Sequence, residues 1–308
     1  MMHDAATDLG SSWLQATARQ RLDGLLDPGS FYEFIGPEQR VESPHLQIFD
    51  LPKAFDDGVV IGRATLGGAA VLVAAQEGQF MGGTFGEVSG AKMVGLVRAA
   101  RDNKDVPQTI LLLLDSGGVR LQEANAGELA VAELMRAIVQ ARCAGVAVIA
   151  LIGGKAGCFG GAGLTAATCA RIVISEAGRI GVTGPEVIET NKGVEEYDSR
   201  DRALVWSVCG GKNRRLLGMA DAFTEDTMAG FRAAALAQMK LCKTLDLAIL
   251  QEEQARLSKR ETMFAACDDA ACMWEKLGIP HPEGISALDT DVFITLAGSI
   301  KESNHDAR

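Results

Sequence analysis

The sequence predicts an α/β fold built from ββα units, and three observations point there. Short apolar runs alternate with segments of helical periodicity, which implies strands joined by right-handed crossovers. Pairs of strands precede helices at irregular intervals, which fits a ββα superhelix better than a regular Rossmann repeat. Glycine is abundant, 35 of 308 residues against ~7% in an average protein. It gathers in Gly-Gly pairs at 67, 82, 117, 153, 160 and 210, as a fold with many tight turns requires.

The elements follow in order. Trp13, Leu14, Ala18, Leu22 and Leu25 recur at helical spacing and predict a helix over 9–26, stopped by Asp27-Pro28-Gly29-Ser30. Three prolines make 31–56 irregular. Residues 59–66 and 69–76 read as a hairpin around Gly67-Gly68, and a helix follows over 87–103. The run at 110–114 reads as a strand buried on both faces. It ends in the turn Asp115-Ser116-Gly117-Gly118. A helix over 123–143 follows, with Leu129, Ala132, Leu134, Met135, Ile138 and Val139 as its apolar face and Gly145 as its stop. A second buried strand at 146–152 runs into a second glycine turn, 153–163, GGKAGCFGGAG. Then come a short helix near 162–168, a strand at 171–175, a short strand and turn at 178–184, and a helix opened by Pro185. Residues 200–208 and 227–257 read as helices. The pattern fades beyond Pro280, and the tail 301–308 is expected to fray.

Composition excludes several functions. The chain carries 30 basic and 40 acidic residues, a net charge of −10, which argues against nucleic acid or an anionic membrane as main partner. The run Lys212-Asn213-Arg214-Arg215 reads either as a local phosphate site or as a solvated turn. Seven cysteines without a C-x-x-C pair suggest reduced, intracellular thiols and no zinc site. No secretory signal and no membrane-length apolar run is visible, so a soluble cytoplasmic protein is expected.

The motifs narrow the chemistry. Residues 161–166 match G-x-G-x-x-A, but no strand leads directly into them and no acid follows at the right distance, so a dinucleotide site is disfavoured. Ser116 reads as a turn residue or substrate donor; as a nucleophile it would need His45 or His281 brought in as base. Cys158 is either a thioester nucleophile or a small buried thiol. Arg120 and Glu123 either bind substrate or pair with each other. The two glycine turns remain. Their backbone amides, close to helix N-termini, suit a reaction that places negative charge on a carbonyl oxygen, such as enolate formation from a thioester.

Five blocks in order carry a resemblance: RQRLDGLLDPGSFYEF (19–34), QFMGGTFGEVSGAK (79–92), LLDSGGVRLQEA (113–124), the second turn with RIVISEAGRIGVTGPEVIE (171–189), and GMADAFTED (218–226). Together they resemble the carboxyltransferase branch of the crotonase superfamily, and within it the β-subunit family of malonate decarboxylases. The resemblance covers 19–260. It implies a crotonase-like ββα spiral there, an N-terminal extension at 1–18 and a C-terminal helical segment and tail at 261–308. It also implies a γ-type partner subunit, with the active site between the two. Gly160 and Gly161 match the position whose amides hold the thioester or enolate oxygen. Ser116, Gly117 and Gly118 match the segment lining the same pocket, and Gly82-Gly83 a further turn beside it. Arg120 and Cys158 are carried as candidate substrate contacts.

The reaction so implied is decarboxylation of a malonyl thioester to the acetyl thioester. The substrate rides on the phosphopantetheine-type group of a partner acyl carrier protein, with an acyl-carrier transferase as a possible further subunit. No metal and no cofactor bound by this chain is expected. Two departures matter: KAGCF (155–159) stands where biotin-using carboxyltransferases commonly have a Pro-Thr-Thr type run, and the zinc ribbon of the bacterial acetyl-CoA carboxylase β subunit is absent. The alternatives are a biotin-dependent carboxyltransferase subunit and a scaffold subunit without chemistry.

Overall fold

The computed structural model describes residues 12–300. Its centre is one sheet of seven strands: β1 (Tyr32–Glu33), β2 (Val59–Leu66), β3 (Ala69–Gln76), β4 (Thr109–Leu114), β5 (Ala147–Ile152), β6 (Arg171–Ser175) and β7 (Ala222–Thr224), neighbours in chain order. The first three pair antiparallel and the rest parallel. The helices are α1 (Ala18–Leu25), α2 (Pro44–Ile48), α3 (Glu87–Asp102), α4 (Ala126–Cys143), α5 (Gly161–Thr168), α6 (Pro185–Lys192), α7 (Arg202–Cys209), α8 (Gly211–Leu216), α9 (Met228–Met239), α10 (Leu247–Phe264), α11 (Ala270–Lys276) and α12 (Thr290–Ser299).

A second, much smaller β layer lies beyond the ends of the parallel strands. It consists of single bridges, Phe85 to Val119, Ser116 to Cys158, Cys158 to Ile180, and Arg179 to Gly210. Each turn of the chain is therefore a long strand, a one-residue strand and a helix. This is the ββα plan with its second strand reduced to a single bridge.

The central strands β4 and β5 are buried on both faces because they are apolar at almost every position. In β4, Ile110, Leu112 and Leu114 enter the core beneath α3 and α4. Leu111 and Leu113 enter the opposite core beneath α1 and α9. Strand alternation alone produces this split.

Several expectations need correcting. The first helix is shorter than 9–26. Residues 9–11 lie outside the described part, and Ser12–Thr17 is bridge and turn. Thr17 and Gln20 form a capping box that starts α1, while Trp13 stacks on Phe231 with ring centres 3.9 Å apart. The expected long helix at 227–257 is broken between α9 and α10, and Asp246 caps the second piece by accepting from the Ile249 amide at 2.9 Å. The inner face of α4 is Ala130, Val131, Leu134, Ala137, Ile138 and Ala141, and Leu129 is 64% exposed. Leu134 and Ile138 are buried as expected, and alanine takes the inward position where α3 comes closest: a Cβ on Gly90 of α3 would sit 2.2 Å from that of Ala130. Residues 178–184 form bridges only, while β7 had no signal in the sequence reading. The weak-signal region after Pro280 adds Ile285, Phe293 and Ala297 to the main core.

The cysteines also depart from expectation. Cys267 and Cys272 are joined as a disulfide, where seven reduced thiols were expected; the loop between α10 and α11 brings their Cα atoms to 5.5 Å, within disulfide range. Cys143, Cys158, Cys169, Cys209 and Cys242 are free. Among the described residues no helix is long and apolar enough to cross a membrane. None of their His, Cys, Asp and Glu side chains form a group of three or more able to hold a metal ion.

Candidate active site

The two glycine turns leave adjacent strands, β4 and β5, and meet edge to edge. The Ser116 amide donates to the Gly157 carbonyl at 2.7 Å, and the Phe159 amide to the Ser116 carbonyl at 2.9 Å. One step further along, Gly118 and Gly160 face each other. A Cβ on Gly160 would stand 3.2 Å from the Gly118 Cα, and both residues have positive φ, 133° and 55°. Any side chain there would close the seam.

Not all the amides proposed from sequence are free to bind a ligand. Gly117 donates to the Gly82 carbonyl at 2.9 Å, and Gly160 to the Val182 carbonyl at 3.0 Å. Gly118 donates to the Ser116 hydroxyl at 3.2 Å. Tight turns close on their own backbone groups, and these amides are consumed in doing so. Two others have no acceptor among the described residues. Gly161 is the first residue of α5, where an N–H has no partner inside the helix. Val119 lies between the Gly118 carbonyl and the Arg120 amide, which both bond to Phe85 at 2.9 and 2.8 Å. Alternation along an extended chain turns the Val119 N–H away from Phe85. The two residues are neighbours, since a Cβ on Gly161 would lie 3.3 Å from a Val119 methyl.

Asp115 organises the surroundings. Its carboxylate pairs with the Arg21 guanidinium of α1 at 2.9 Å, both side chains being buried, and accepts the Ala156 amide of the second turn at 2.8 Å. Its own amide donates to the Gln76 side chain at 3.2 Å, and Gln76 in turn donates to the Gly83 carbonyl at 3.2 Å. Arg21 is held by the Trp13 carbonyl at 2.9 Å. Gly78, Gly83 and Gly154 surround this residue, and a Cβ on them would meet Asp115 atoms at 2.4, 1.8 and 2.0 Å. Gly78 and Gly154 make room for the carboxylate, and Gly83 makes room for the Asp115 carbonyl. The sequence reading passed over Asp115; its signal was an acid at the end of a buried strand, with an arginine on the opening helix.

The remaining candidates divide. Gly82 is exposed beside the first turn. Ser116 is fully buried; its hydroxyl serves the Gly118 amide and carbonyl, both at 3.2 Å, and no histidine bonds to it. His45 lies 3.6 Å from Glu87, and His281 3.4 Å from Glu283. Cys158 is fully buried in the main core. Burial, with Cys169 and Asp115 adding to it, pushes its thiol well above the ordinary value, so it stays protonated and out of reach of a substrate.

Arg120 is 1% exposed. It pairs with Asp57 at 2.9 Å and Glu123 at 3.0 Å and donates to the Thr84 carbonyl at 3.1 Å, so it supports the first turn from behind. Burial raises Asp57 above the usual carboxylate range, although Arg120 pulls it down. Burial acts on Glu123 too, but the Glu87 amide and Arg120 outweigh it and leave Glu123 below its ordinary value. The 212–215 run is not a solvated turn but part of α8, with Lys212 and Asn213 buried. Lys212 donates to Glu176 and to the Ser286 and Leu288 carbonyls, at 3.0, 3.1 and 2.7 Å, which pins the C-terminal segment to α8.

The carboxyl transferase domain family matches residues 15–231, from just before α1 into α9. The chain belongs to the carboxyl transferase domain family. Its fold is the crotonase-like α/β fold of that family, and membership places it among enzymes that handle a carboxyl group. It is similar to the malonyl-S-ACP:biotin-protein carboxyltransferase MADC of Malonomonas rubra, with 38% identity covering 94% of this chain and 96% of the relative. A subunit in the crystal structure of a Pseudomonas malonate decarboxylase hetero-tetramer in complex with malonate shares 41% identity and superposes with a TM-score of 0.77. That match covers 86% of this chain and 96% of the other. The propionyl-CoA carboxylase beta chain of Saccharopolyspora erythraea is 35% identical over 58% of this chain, but only 31% of that longer protein is covered.

Proposed function

We propose that this chain is the β-type subunit of a malonate decarboxylase. It binds a malonyl thioester on an acyl carrier protein, and a γ-type subunit closes the site. The carboxylate leaves as CO2. The electron pair of the broken C–C bond passes into an enolate, whose oxygen takes the charge. The Gly161 and Val119 amides receive that oxygen, and a proton delivered to the carbon completes the acetyl thioester. A preorganised donor of this kind is worth roughly 2.7–4 kcal/mol of barrier. The observation that carries the reading is the meeting of Gly118 and Gly160, with an amide lacking an acceptor immediately beyond each. The apolar rim supports a partner there. Leu121, Leu164 and Val182 are exposed around the seam, Leu121 at 74%, and exposed apolar clusters of this kind mark interaction surfaces.

The test removes one N–H. In a Val131→Ala background, which relieves the 2.5 Å approach of a Cβ on Gly161 to Val131, Gly161→Pro is compared with Gly161→Ala. Proline is tolerated at a first helical position but has no amide hydrogen. The proline variant is expected to lose roughly 10²–10³ in kcat relative to the alanine variant, with subunit assembly intact by gel filtration. Equal turnover in the two variants overturns the reading.

One observation favours a second reading, in which CO2 passes to biotin instead of leaving freely. The relative from Malonomonas rubra is named as a biotin-protein carboxyltransferase, and the match spans nearly the whole of both chains. Avidin separates the two readings: inhibition of CO2 release in the purified complex supports the biotin route, and indifference supports direct release.

A further inference from the structure

One cationic cluster has no part in the chemistry above. It lies on the far side of the second turn from β4. Arg179 and Arg202 both stand against Trp206, their guanidinium carbons 4.9 and 4.8 Å from the ring centre. The indole is fixed by its own N–H, which donates to the Glu176 carbonyl at 3.0 Å. Arg179 donates to the Lys155 carbonyl within the turn and lies 5.7 Å from the ring centre of Phe159, the residue before Gly160. Among the described residues, none of Arg179, Arg202 and Lys155 has a carboxylate partner, and the buried Nε of Arg179 has no hydrogen-bond partner. Glu176, which lines the adjoining cavity with Arg202 and Trp206, is already bonded to Lys212 at 3.0 Å. Elsewhere Arg19, Arg21, Arg98, Arg120 and Arg232 each hold a carboxylate. In a chain of net charge −10, two guanidiniums stacked on one indole without a counter-ion, bonded to the turn that carries Lys155, call for an outside anion.

We propose that Arg179, Arg202 and Lys155 form the seat for the phosphate of a phosphopantetheine thioester. Stacking on an indole orients a guanidinium and leaves its N–H edges free, and those edges match phosphate oxygens two at a time. The seat is in line with the seam. Val182, three residues beyond Arg179, accepts the Gly160 amide, and three extended residues span at most roughly 10 Å. The backbone of 179–182 is itself bonded to 158–160 and to Cys209, so a pantetheine chain, which is longer than that distance, runs over the surface of this strand and delivers its thioester to Gly161. The assignment rests on the reading of the chain as a thioester-handling subunit. It adds where the arm's charged end is held.

The test uses Arg202→Gln with Lys155→Gln, both at exposed positions, in the purified complex. For malonyl thioester on the carrier protein, KM is expected to rise roughly 10-fold, about the worth of one charge-assisted hydrogen bond. For malonyl-N-acetylcysteamine, which lacks the phosphate, it is expected to change by less than about 2-fold on the same scale. A rise with the carrier thioester identifies the carrier as the source of the phosphate, and a rise with malonyl-CoA alone identifies free coenzyme A; both support the seat. A similar rise with the truncated thioester, or no rise with any of the three, overturns it. Calorimetry on the full chain with phosphopantetheine and with pantetheine is independent of turnover. Preference for the phosphorylated probe, lost in the double variant, supports the seat; equal binding or no binding of both overturns it. Preserved discrimination without CO2 release sinks only the decarboxylation reading.

Discussion

The two glycine turns look alike in sequence but are held open in different ways. In the first, Gly117 and Gly118 spend their amides on Gly82 and Ser116, and Asp115 anchors the turn to α1 through Arg21. The second opens straight into α5, so Gly161 keeps an amide without an acceptor among the described residues. Glycine therefore does two separate jobs here. Around Asp115 it gives up volume, so that a carboxylate can be buried with its partners. At the seam it lets two backbones approach and adopt positive φ.

The comparison breaks most sharply at Asp115. Asp115→Asn leaves the Arg21 charge buried without its counter-ion, and losing one member of such a pair costs about 3–5 kcal/mol. Chemical denaturation should show that loss, and Asp115→Asn with Arg21→Met should recover part of it. Wild-type stability in the single variant would mean that the pair does not join the turns.

Gly83 and Gly82 separate the volume role from the conformational one. Both have positive φ, 64° and 66°, but a Cβ on Gly83 collides with the Asp115 carbonyl, whereas one on Gly82 meets open space. Gly83→Ala is expected to cost about 3 kcal/mol or more, overpacking and backbone strain together. Gly82→Ala should cost about 1 kcal/mol, from φ alone. Equal melting temperatures for the two variants would contradict the packing argument.

Thiol labelling comes next in size. In the native chain Cys143 should react with a maleimide while Cys158 stays protected, because burial both raises its pKa and closes access. Mass spectrometry of the labelled chain checks this, and fast native labelling of Cys158 would place it in the cleft after all.

The smallest expected effect concerns Asp27, which holds the β2–β3 turn through the Gly67 and Gly68 amides at 2.9 and 2.8 Å. Arg232, Thr65 and those amides hold its carboxyl well below the usual range. A depressed carboxylate stabilises the fold above its unfolded pKa and loses that contribution as the pH falls. Asp27→Asn should therefore lower the melting temperature at pH 7, and the gap should close as the pH drops below about 4. A gap that stays constant with pH would rule out the charge as its cause.

How much was legible follows from which forces are local. The β2–β3 hairpin, β4, β5, β6 and both glycine turns could be read because alternation, apolar runs and Gly-Gly pairs act within a few residues. The inner face of α4 was read in part: Leu134 and Ile138 are buried as expected, whereas Leu129 and Val139 are exposed, because the close approach of α3 at Ala130 turns alanines inward in their place. The break before α10 was missed because Asp246 is a cap only once the chain has stopped being helical.

The sequence alone determined the succession from β2 to β6, with the helices α3, α4 and α5 between them, and the residues at which the chain turns tightly there, since side-chain size, backbone freedom and period are properties of neighbours. Only the tertiary structure decided which amides of those turns are already bonded, that Asp115 joins them, and that Cys158 and Arg120 are sealed away. Those outcomes depend on which groups meet across the fold, as Arg21 and Asp115 do, and no local pattern records such a meeting.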